Sequence, residues 1–472
     1  MPGFHVENFG CRAARADGEA LSERLRSAGY GARQPAQADV VIVNTCSVTA
    51  EADRAARAFI RKAHRVNPEA RILVTGCYAQ RAPEETAGLA GVAAVVGNSH
   101  KALTPEIAMR LAVGESLAEV TEQPDLLSVA SLLVSGAGKT AALIWVDDRF
   151  AHSFLEEAQL MPGEQTRPNL KIQEGCGNRC TFCVIPQTRG SSRSLPAARV
   201  LKRVEEFVAA GGNELVLSGI NLGRWGRDFA AAQATAVATL TSLVGEILER
   251  TALPRLRLSS IEPMDWDSGL IGRMAEFGGR RLARHVHLPL QSGSDAVLRR
   301  MHRRYRPWHY EEKVRALLDA AGPDLTLGAD VMVGFPGETE AEFEETRQMI
   351  RRLPFGYLHL FPFSPRPGTR GWALHAERPV SRQAVEERMS ALRAIAKEKT
   401  SQHRQRFVGR ELEAITLHSP AELEIADGSA ALTENFLPVA LEGRVPANRL
   451  VRIRVKGVSA EGTLLGVLSD SA

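Results

Sequence analysis

Apolar and polar positions change rhythm along this chain, and the rhythm separates its parts. "FHVENFG", "VVIVNTC", "RILVTGC" and "AAVVGN" are short β-rich runs within residues 4–98. Stretches such as "EADRAARAFIRKAHRVNP", rich in Ala, Arg and Glu, lie between them and have helical composition. Strand–helix alternation predicts a parallel, doubly wound sheet. Ligands of such sheets bind beyond the carboxyl ends of the strands. Cys11, Cys46 and Cys77 each stand at or just past such an end, so one sheet edge should gather three thiols that are distant in sequence. Three buried structural cysteines are the plainer alternative, but the shared placement favours a site.

A second strand–helix series begins at Leu170. "LKIQEG", "ELVLSG", "LRLSSI", "HVHLPLQ", "LTLGADVMVG" and "GYLHLFPFS" are its strands, and "RVLKRVEEFVAAG" and "EAEFEETRQMIRRL" are among its helices. Six parallel strands predict a partial (β/α)6 barrel. Polar residues recur towards the strand ends: Glu174, Ser218, Ser259, Ser260, Glu262, Gln291 and Asp330. In barrels of this kind that end carries the chemistry. Residues 125–165 show no clear pattern and are read as a linker or insertion. Gly138-Lys139-Thr140 imitates a phosphate loop there, but Leu133 occupies the place of the required glycine. From about Thr400, "RELEAITLHS", "NFLPVALEG" and "RLVRIRVKGVSAEGTLLGVLS" predict a small antiparallel β-barrel. The expected domains are 1–124, 166–398 and 399–472, with 125–165 as linker.

Composition narrows the chemistry only a little. The chain has 472 residues, 44% hydrophobic and 24% charged, with a formal charge of +4. That balance allows a nucleic-acid partner without implying one. No apolar run is long enough for a membrane span, and the N-terminus lacks a secretory layout, so the expectation is a cytoplasmic protein with no membrane contact. Cysteines in that setting are more often metal ligands or catalytic groups than disulfides.

The densest chemistry is "EGCGNRCTFCVIP", where Cys176, Cys180 and Cys183 form a C-x3-C-x2-C loop after a predicted strand. Three thiolates on a four-iron cluster leave one iron open to an exchangeable ligand. A zinc site short of one ligand is the alternative. The loop resembles that of the radical S-adenosylmethionine (SAM) enzymes, with Phe182 as the aromatic residue before the last cysteine. More specifically, the chain resembles the radical SAM methylthiotransferases in "NTCSVTAEAD", "VTGCYAQ", "LKIQEGCGNRCTFCVIPQTRG", "LSGINLGRWG", "LSSIEP", "LPLQSGSDAVLRRMHRRY", "DVMVGFPGETE" and "FPFSPRPGT". Where the family commonly has an Asn-Gln pair after its first cysteine, this chain has Ala14 and Arg15.

That resemblance implies two [4Fe–4S] clusters. One, on Cys176, Cys180 and Cys183, would cleave SAM to a radical. The other, auxiliary cluster, on Cys11, Cys46 and Cys77, would supply sulfur. It implies SAM contacts from Phe182, from "GGNE" (Gly212 and Glu214), from Ser259, Ser260, Glu262, Gln291 and Asp330, and from the glycine-bearing strand with Gly334 and Pro336. The tail would be a TRAM-like RNA-binding barrel, the partner the anticodon stem-loop of tRNA, and the electron donor a flavodoxin or ferredoxin. The N-terminal motifs look most like the branch acting on N6-threonylcarbamoyladenosine; isopentenyladenosine in tRNA and an aspartate of a ribosomal protein are the alternatives. A reading of another class is a non-enzymatic zinc- and RNA-binding protein. The segment "LRRMHRRYRPWHY" suits RNA or, equally, a solvated helix face. Arg189 and Arg193 are further candidates for substrate or domain contact.

Overall fold

The computed structural model describes residues 1–117, 142–150, 166–229, 238–418 and 428–469. The chain forms two compact units. One comprises Met1–Gln159, Glu174–Ser192 and Ser364–Thr369, and the other Leu160–Gln173, Arg193–Phe363 and Arg370–Ala472. All six cysteines fall in the first unit. The phosphate-loop look-alike at 138–140 lies outside the described residues.

The first unit is built on β1 (Gly3–Asn8), β2 (Gly31–Ala32), β3 (Val40–Thr45), β4 (Arg71–Gly76), β5 (Val92–Gly97) and β6 (Leu143–Trp145). They pair in the order β2-β1-β3-β4-β5-β6, all parallel. The short strand β6 comes from the stretch read as a linker. Helices α1 (Arg12–Ser27), α2 (Ala50–Val66), α3 (Cys77–Arg81), α4 (Pro83–Ala87) and α5 (Thr104–Val113) complete the alternation. The sheet is covered on both faces, which is why "VVIV" in β3 is an unbroken apolar run. Val40, Ile42, Leu73 and Val96 pack with Leu21, Leu25 and Ile107. Val41, Val43, Ile72, Val74 and Val95 pack with Ile60 and Ala63. The period-two alternation thus deals successive residues to two cores.

The second unit holds the six predicted barrel strands: β7 (Asn169–Glu174, whose last residue belongs to the first unit), then, after the short α6 (Ile185–Arg189) and the two-residue β8 (Arg193–Ser194), β9 (Glu214–Gly219), β10 (Arg255–Leu258), β11 (His285–His287), β12 (Thr326–Val333) and β13 (Phe355–Pro362). β7, β9 and β10 are parallel neighbours, as are β11, β12 and β13. A parallel bridge between Leu256 and Leu282 joins the two groups, reinforced by Ala283 N–H to Leu256 O at 2.9 Å. The crossover helices are α7 (Ala197–Ala209), α8 (Leu240–Arg250), α9 (Ser268–Phe277), α10 (Asp295–Arg300), α11 (Pro307–Ala321) and α12 (Glu340–Arg352). α13 (Arg370–Glu377) and α14 (Arg382–Gln405) follow, and α14 runs across the boundary expected at 398/399.

β14 (Glu411–Thr416), β15 (Gly428–Thr433), β16 (Pro438–Glu442), β17 (Leu450–Val458) and β18 (Leu464–Leu468) close into a barrel in the order β14-β15-β16-β18-β17. The small barrel expected from the sequence is present: four of its five strand pairs are antiparallel, and β16 and β18 run parallel. A closed ring of five strands cannot alternate direction all the way round, so at least one pair must be parallel.

Candidate active site

Cys11 follows β1 and serves as the N-cap of α1, Cys46 follows β3, and Cys77 follows β4 as the first residue of α3. β1, β3 and β4 are adjacent, so the sheet delivers the three thiols to one edge. The crowding there is visible at Gly10: at φ +99°, any Cβ would lie 2.4 Å from Cys46 Sγ. The Cys46 thiol is pushed up to about 12, first by burial and then by the neighbouring Cys11 and Cys77. A buried thiol crowded by two others belongs to a donor set that a cationic cluster would satisfy. The residues therefore fit a cluster with three protein ligands.

The surroundings of this edge are polar and closely tied. Asn98 Nδ2 donates to Cys77 Sγ at 3.4 Å and to Thr188 O at 2.8 Å. Arg81 Nε donates to Ser47 Oγ at 2.8 Å, linking the residues after Cys46 and Cys77. Arg189, a candidate for substrate or domain contact from the sequence, is completely buried, with Nε 3.3 Å from Cys77 Sγ, so it joins the segment after Cys183 to the N-terminal sheet. Ala14 is fully buried in α1, and its carbonyl accepts from Asn44 Nδ2.

The second cysteine set leaves β7 directly. Cys176 N–H donates to Gly190 O at 3.0 Å and Cys183 N–H to Cys180 O at 3.1 Å, which folds the loop back on itself. Asn178 N–H donates to Cys176 Sγ at 3.4 Å. Gly175 is required: its φ is +69° and a Cβ would lie 2.0 Å from Ser191 O. Gly177 faces open space, so sterics do not demand a glycine there. Cys176, Cys180, Phe182 and Cys183 are all partly exposed, as an open ligand site requires.

In the second unit, the barrel's carboxyl end carries polar atoms that nothing in the described chain satisfies. Ser218 Oγ near the end of β9, Ser259 Oγ just past β10, and Gln291 Oε1 past β11 are buried without hydrogen-bond partners. Gln291 also sits at φ +62°, a strained conformation for a residue with a side chain. Its N–H donates to Asp330 O and its carbonyl accepts from Met332, which pins the turn in place. Buried polar groups normally have a hydrogen-bond partner, so these three atoms have hydrogen-bonding capacity to offer at this end of the barrel. Gly334 closes β12 at φ +75°, with its N–H on Glu338 Oε2 at 2.8 Å, and Pro336 follows it. Ser260 is exposed, and Glu262 is ion-paired with Arg303.

Two expected SAM contacts are misplaced. Glu214 opens β9 instead of closing it, and Gly212 precedes it, so both lie at the barrel's opposite end. Burial alone would raise the Glu214 carboxyl, but Arg257, Arg167 and Arg255 outweigh it and hold it at about 2. Arg257 also donates to Thr433 O and Arg255 pairs with Glu413, so this network braces the small C-terminal barrel. Gly212 is small because a Cβ would strike the Phe207 ring, 2.2 Å away.

The sequence reading missed a second polar cluster. His287 Nε2 and His359 Nδ1 lie 3.1 and 3.3 Å from the two oxygens of Asp330. Tyr357 OH lies 3.0 Å from His287 Nδ1 and 2.8 Å from His285 Nε2. Burial would raise Asp330, but its hydrogen bonds to the two imidazoles hold it far below the usual carboxylate range. The signal was present as period-two spacing, in His285 and His287 and again in Tyr357 and His359. Asp330 itself lies within β12, three residues before its end. In "LRRMHRRYRPWHY" the arginines are engaged within the fold, so the segment is neither an open basic patch nor a plain solvated helix face. Arg299 pairs with Asp295, Arg300 with Glu342, Arg303 with Glu262, Arg304 with Asp265, and Arg306 with Asp295, while Tyr305 and Tyr310 are buried.

Comparison with known proteins agrees with this geometry. Residues 170–350 match the radical SAM superfamily, and residues 3–97 match the family described as "Uncharacterized protein family UPF0004". A protein of Aquifex aeolicus (strain VF5) named threonylcarbamoyladenosine tRNA methylthiotransferase MtaB is 32% identical over 95% of this chain and 99% of its own length. Its namesake in Bacillus subtilis (strain 168) is 33% identical over 99% and 97%. A tRNA-2-methylthio-N(6)-dimethylallyladenosine synthase of Parafrankia sp. (strain EAN1pec) is 32% identical over 98% and 85%. Among solved structures, the radical SAM methyltransferase TsrM of Kitasatospora setae, with cobalamin and a [4Fe–4S] cluster bound, shares the fold at a TM-score of 0.52 and 16% identity, covering 80% of this chain and 78% of that one. A radical SAM barrel preceded by a cysteine-edged parallel sheet defines a radical SAM enzyme, whose chemistry uses a [4Fe–4S] cluster and SAM. Within that class, the chain belongs to the family of radical SAM tRNA methylthiotransferases. No helix among the described residues is long and apolar enough to cross a membrane.

Proposed function

We propose that this protein adds a methylthio group to C2 of N6-threonylcarbamoyladenosine next to the tRNA anticodon, using two [4Fe–4S] clusters. Cys176, Cys180 and Cys183 hold one and Cys11, Cys46 and Cys77 the other. When bound, the first cluster and SAM supply a radical that removes hydrogen from an unactivated carbon, and the second cluster supplies sulfur. The observation that carries the reading is the gathering of Cys11, Cys46 and Cys77 at one sheet edge, where Cys46 is burdened by its two neighbours.

The chain's own part is binding and orientation, since hydrogen-atom abstraction needs positioning and exclusion of water rather than a general base. Gln291 and Ser259 offer unsatisfied polar atoms to SAM. Phe182, Ser260, Glu262, Asp330, Gly334 and Pro336 complete the proposed SAM-binding set. Gly212 and Glu214 do not belong to it. Residues 1–124 together with β6 supply the auxiliary-cluster domain, residues from 166 to the end of α14 the radical SAM domain, and the strands from β14 onward the RNA-binding barrel. In the last, Arg449, Arg452, Arg454 and Lys456 are exposed towards a tRNA backbone. A flavodoxin- or ferredoxin-type protein supplies electrons.

The base assignment leans on relatives that match end to end and carry the threonylcarbamoyladenosine name. A dimethylallyladenosine synthase of equal identity keeps that base as the second reading. Nucleoside mass spectrometry of bulk tRNA, from a strain lacking the protein and from its parent, tests the two. Loss of methylthio-threonylcarbamoyladenosine with accumulation of its precursor supports the proposal. Loss of methylthio-isopentenyladenosine moves the assignment, and unchanged tRNA points to a protein substrate.

A further inference from the structure

The first unit contains a buried charge network that the cluster ligands alone do not explain. Arg189 is completely buried at the end of α6, six residues after Cys183. Its Nε donates to Cys77 Sγ at 3.3 Å. Its Nη1 donates to Glu174 Oε1 at 2.7 Å and to Asp17 Oδ2 at 3.2 Å, and its Nη2 donates to the same Asp17 oxygen at 3.2 Å. Lys101, also buried, pairs with the same Asp17 oxygen. Asn98 adds the second N–H donor on Cys77 Sγ and is itself anchored to Thr188 O, next to Arg189 in sequence.

This geometry has two consequences. Glu174 stands two residues before Cys176, and Asp17 lies in the helix that Cys11 caps. One guanidinium therefore ties a ligand of one cysteine set to the loop carrying the other. In addition, Cys77 Sγ receives two N–H donors, one of them cationic, away from bulk water. Hydrogen bonds and positive charge at a ligating sulfur raise the reduction potential of an iron–sulfur site, because they favour the more negative, reduced form.

Resting on the two-cluster reading, we propose that Arg189, assisted by Asn98, is a positioning residue that raises the reduction potential of the auxiliary cluster through Cys77. The neutral ring of interactions around it fits that role. Asp17 and Glu174 balance Lys101 and Arg189, so the guanidinium stays fixed whether or not the thiolate carries charge, and its effect on the sulfur is preorganised rather than induced.

The test uses full-length protein with Cys176, Cys180 and Cys183 changed to Ala, reconstituted anaerobically so that only the auxiliary cluster remains, and titrated by EPR. With Arg189→Met added, the ratio of reduced to oxidised cluster at a fixed potential should fall at least tenfold, ~59 mV for a one-electron couple. Arg189→Lys should recover most of the shift. An unmoved midpoint with iron content intact would overturn the inference. If Arg189→Met fails to hold its fold, Asn98→Ala removes the other N–H donor without touching the ion pairs. It should shift the midpoint in the same direction by less, and no shift there would overturn the inference equally. A protein with three alanines that binds no iron would remove the two-cluster reading itself, a result distinct from bound iron with an unmoved midpoint.

Discussion

Arg366 Nη1 donates to Asp53 Oδ2 at 2.6 Å, with both side chains buried and 313 positions apart in sequence. Asp53 lies in the first turn of α2, and Arg366 is part of "SPRPGT", Ser364–Thr369, which belongs to the same compact unit. Arg81 Nη2 reaches the same carboxylate oxygen at 2.8 Å. One carboxylate thus serves two cations, Arg366 buried and Arg81 half-buried, and through Arg81 it steadies Ser47 beside Cys46. Asp53→Asn should destabilise the unit by ~3–5 kcal/mol, because it strands two charges. Arg366→Ala leaves Arg81 in place and should cost only ~1–3 kcal/mol. Thermal unfolding of the two variants checks this, and equal losses would show that Arg81 does not share the load.

Glu214 gives a prediction that separates structure from cofactor binding. It is bound by Arg255, Arg257 and Arg167 at the amino end of β9. Glu214→Gln should destabilise the second unit by ~3–5 kcal/mol while leaving the affinity of the folded protein for SAM unchanged. Its carboxyl is held at about 2, against 4.5 ordinarily. Its stabilising contribution is therefore full above pH 4.5 and is lost as pH falls towards 2. A tenfold loss of SAM affinity at unchanged thermal midpoint would restore the original expectation for this residue.

The contrast between Glu214 and Gln291 shows how far sequence could be read. The strand–helix alternation and both cysteine sets were legible because periodicity and spacing are local properties. "VVIVNTC" announces a buried strand with its cysteine at the end, whatever surrounds it. Which end of "GGNELVLSG" faces a ligand was not legible locally. "GGNE" resembles a binding motif, yet the three arginines that claim Glu214 come from Arg167, Arg255 and Arg257, on both sides of it in sequence. Arg189 was legible only in part. An arginine after a cluster loop suggests a substrate or domain contact, and only the fold supplies Asp17, Glu174 and Cys77 to choose between them and make its burial tolerable. His287 and His359 were legible in principle, since their alternating partners sit in plain view, but their convergence needs the adjacency of β11, β12 and β13.

Gln291 combines a strained backbone with an unsatisfied amide oxygen. Glycine accepts φ +62° without strain and removes the amide. Gln291→Gly should therefore weaken SAM binding about tenfold, the loss of roughly one buried hydrogen bond, without lowering the thermal midpoint. Isothermal titration with SAM on the anaerobic holoprotein checks it. Unchanged affinity would mean that the oxygen serves the fold or the RNA rather than SAM.

His403 should make the link between α14 and the barrel sensitive to mild acid. Its Nε2 lies 2.8 Å from Thr326 Oγ1, and its ring packs edge-on against Phe407 in the core of the small barrel. Burial, then Arg406 and Arg404, lower it from 6.5 to about 4. Between those values the unfolded chain binds a proton that the folded chain refuses. Stability from this group is thus full above pH 6.5 and is lost as pH falls towards 4, by up to about 3 kcal/mol. The thermal midpoint of the holoprotein should fall between pH 7 and pH 5. The fall should be smaller in His403→Gln, whose amide can still meet Thr326 but does not titrate. Equal falls in the two proteins would assign the acid sensitivity to other groups.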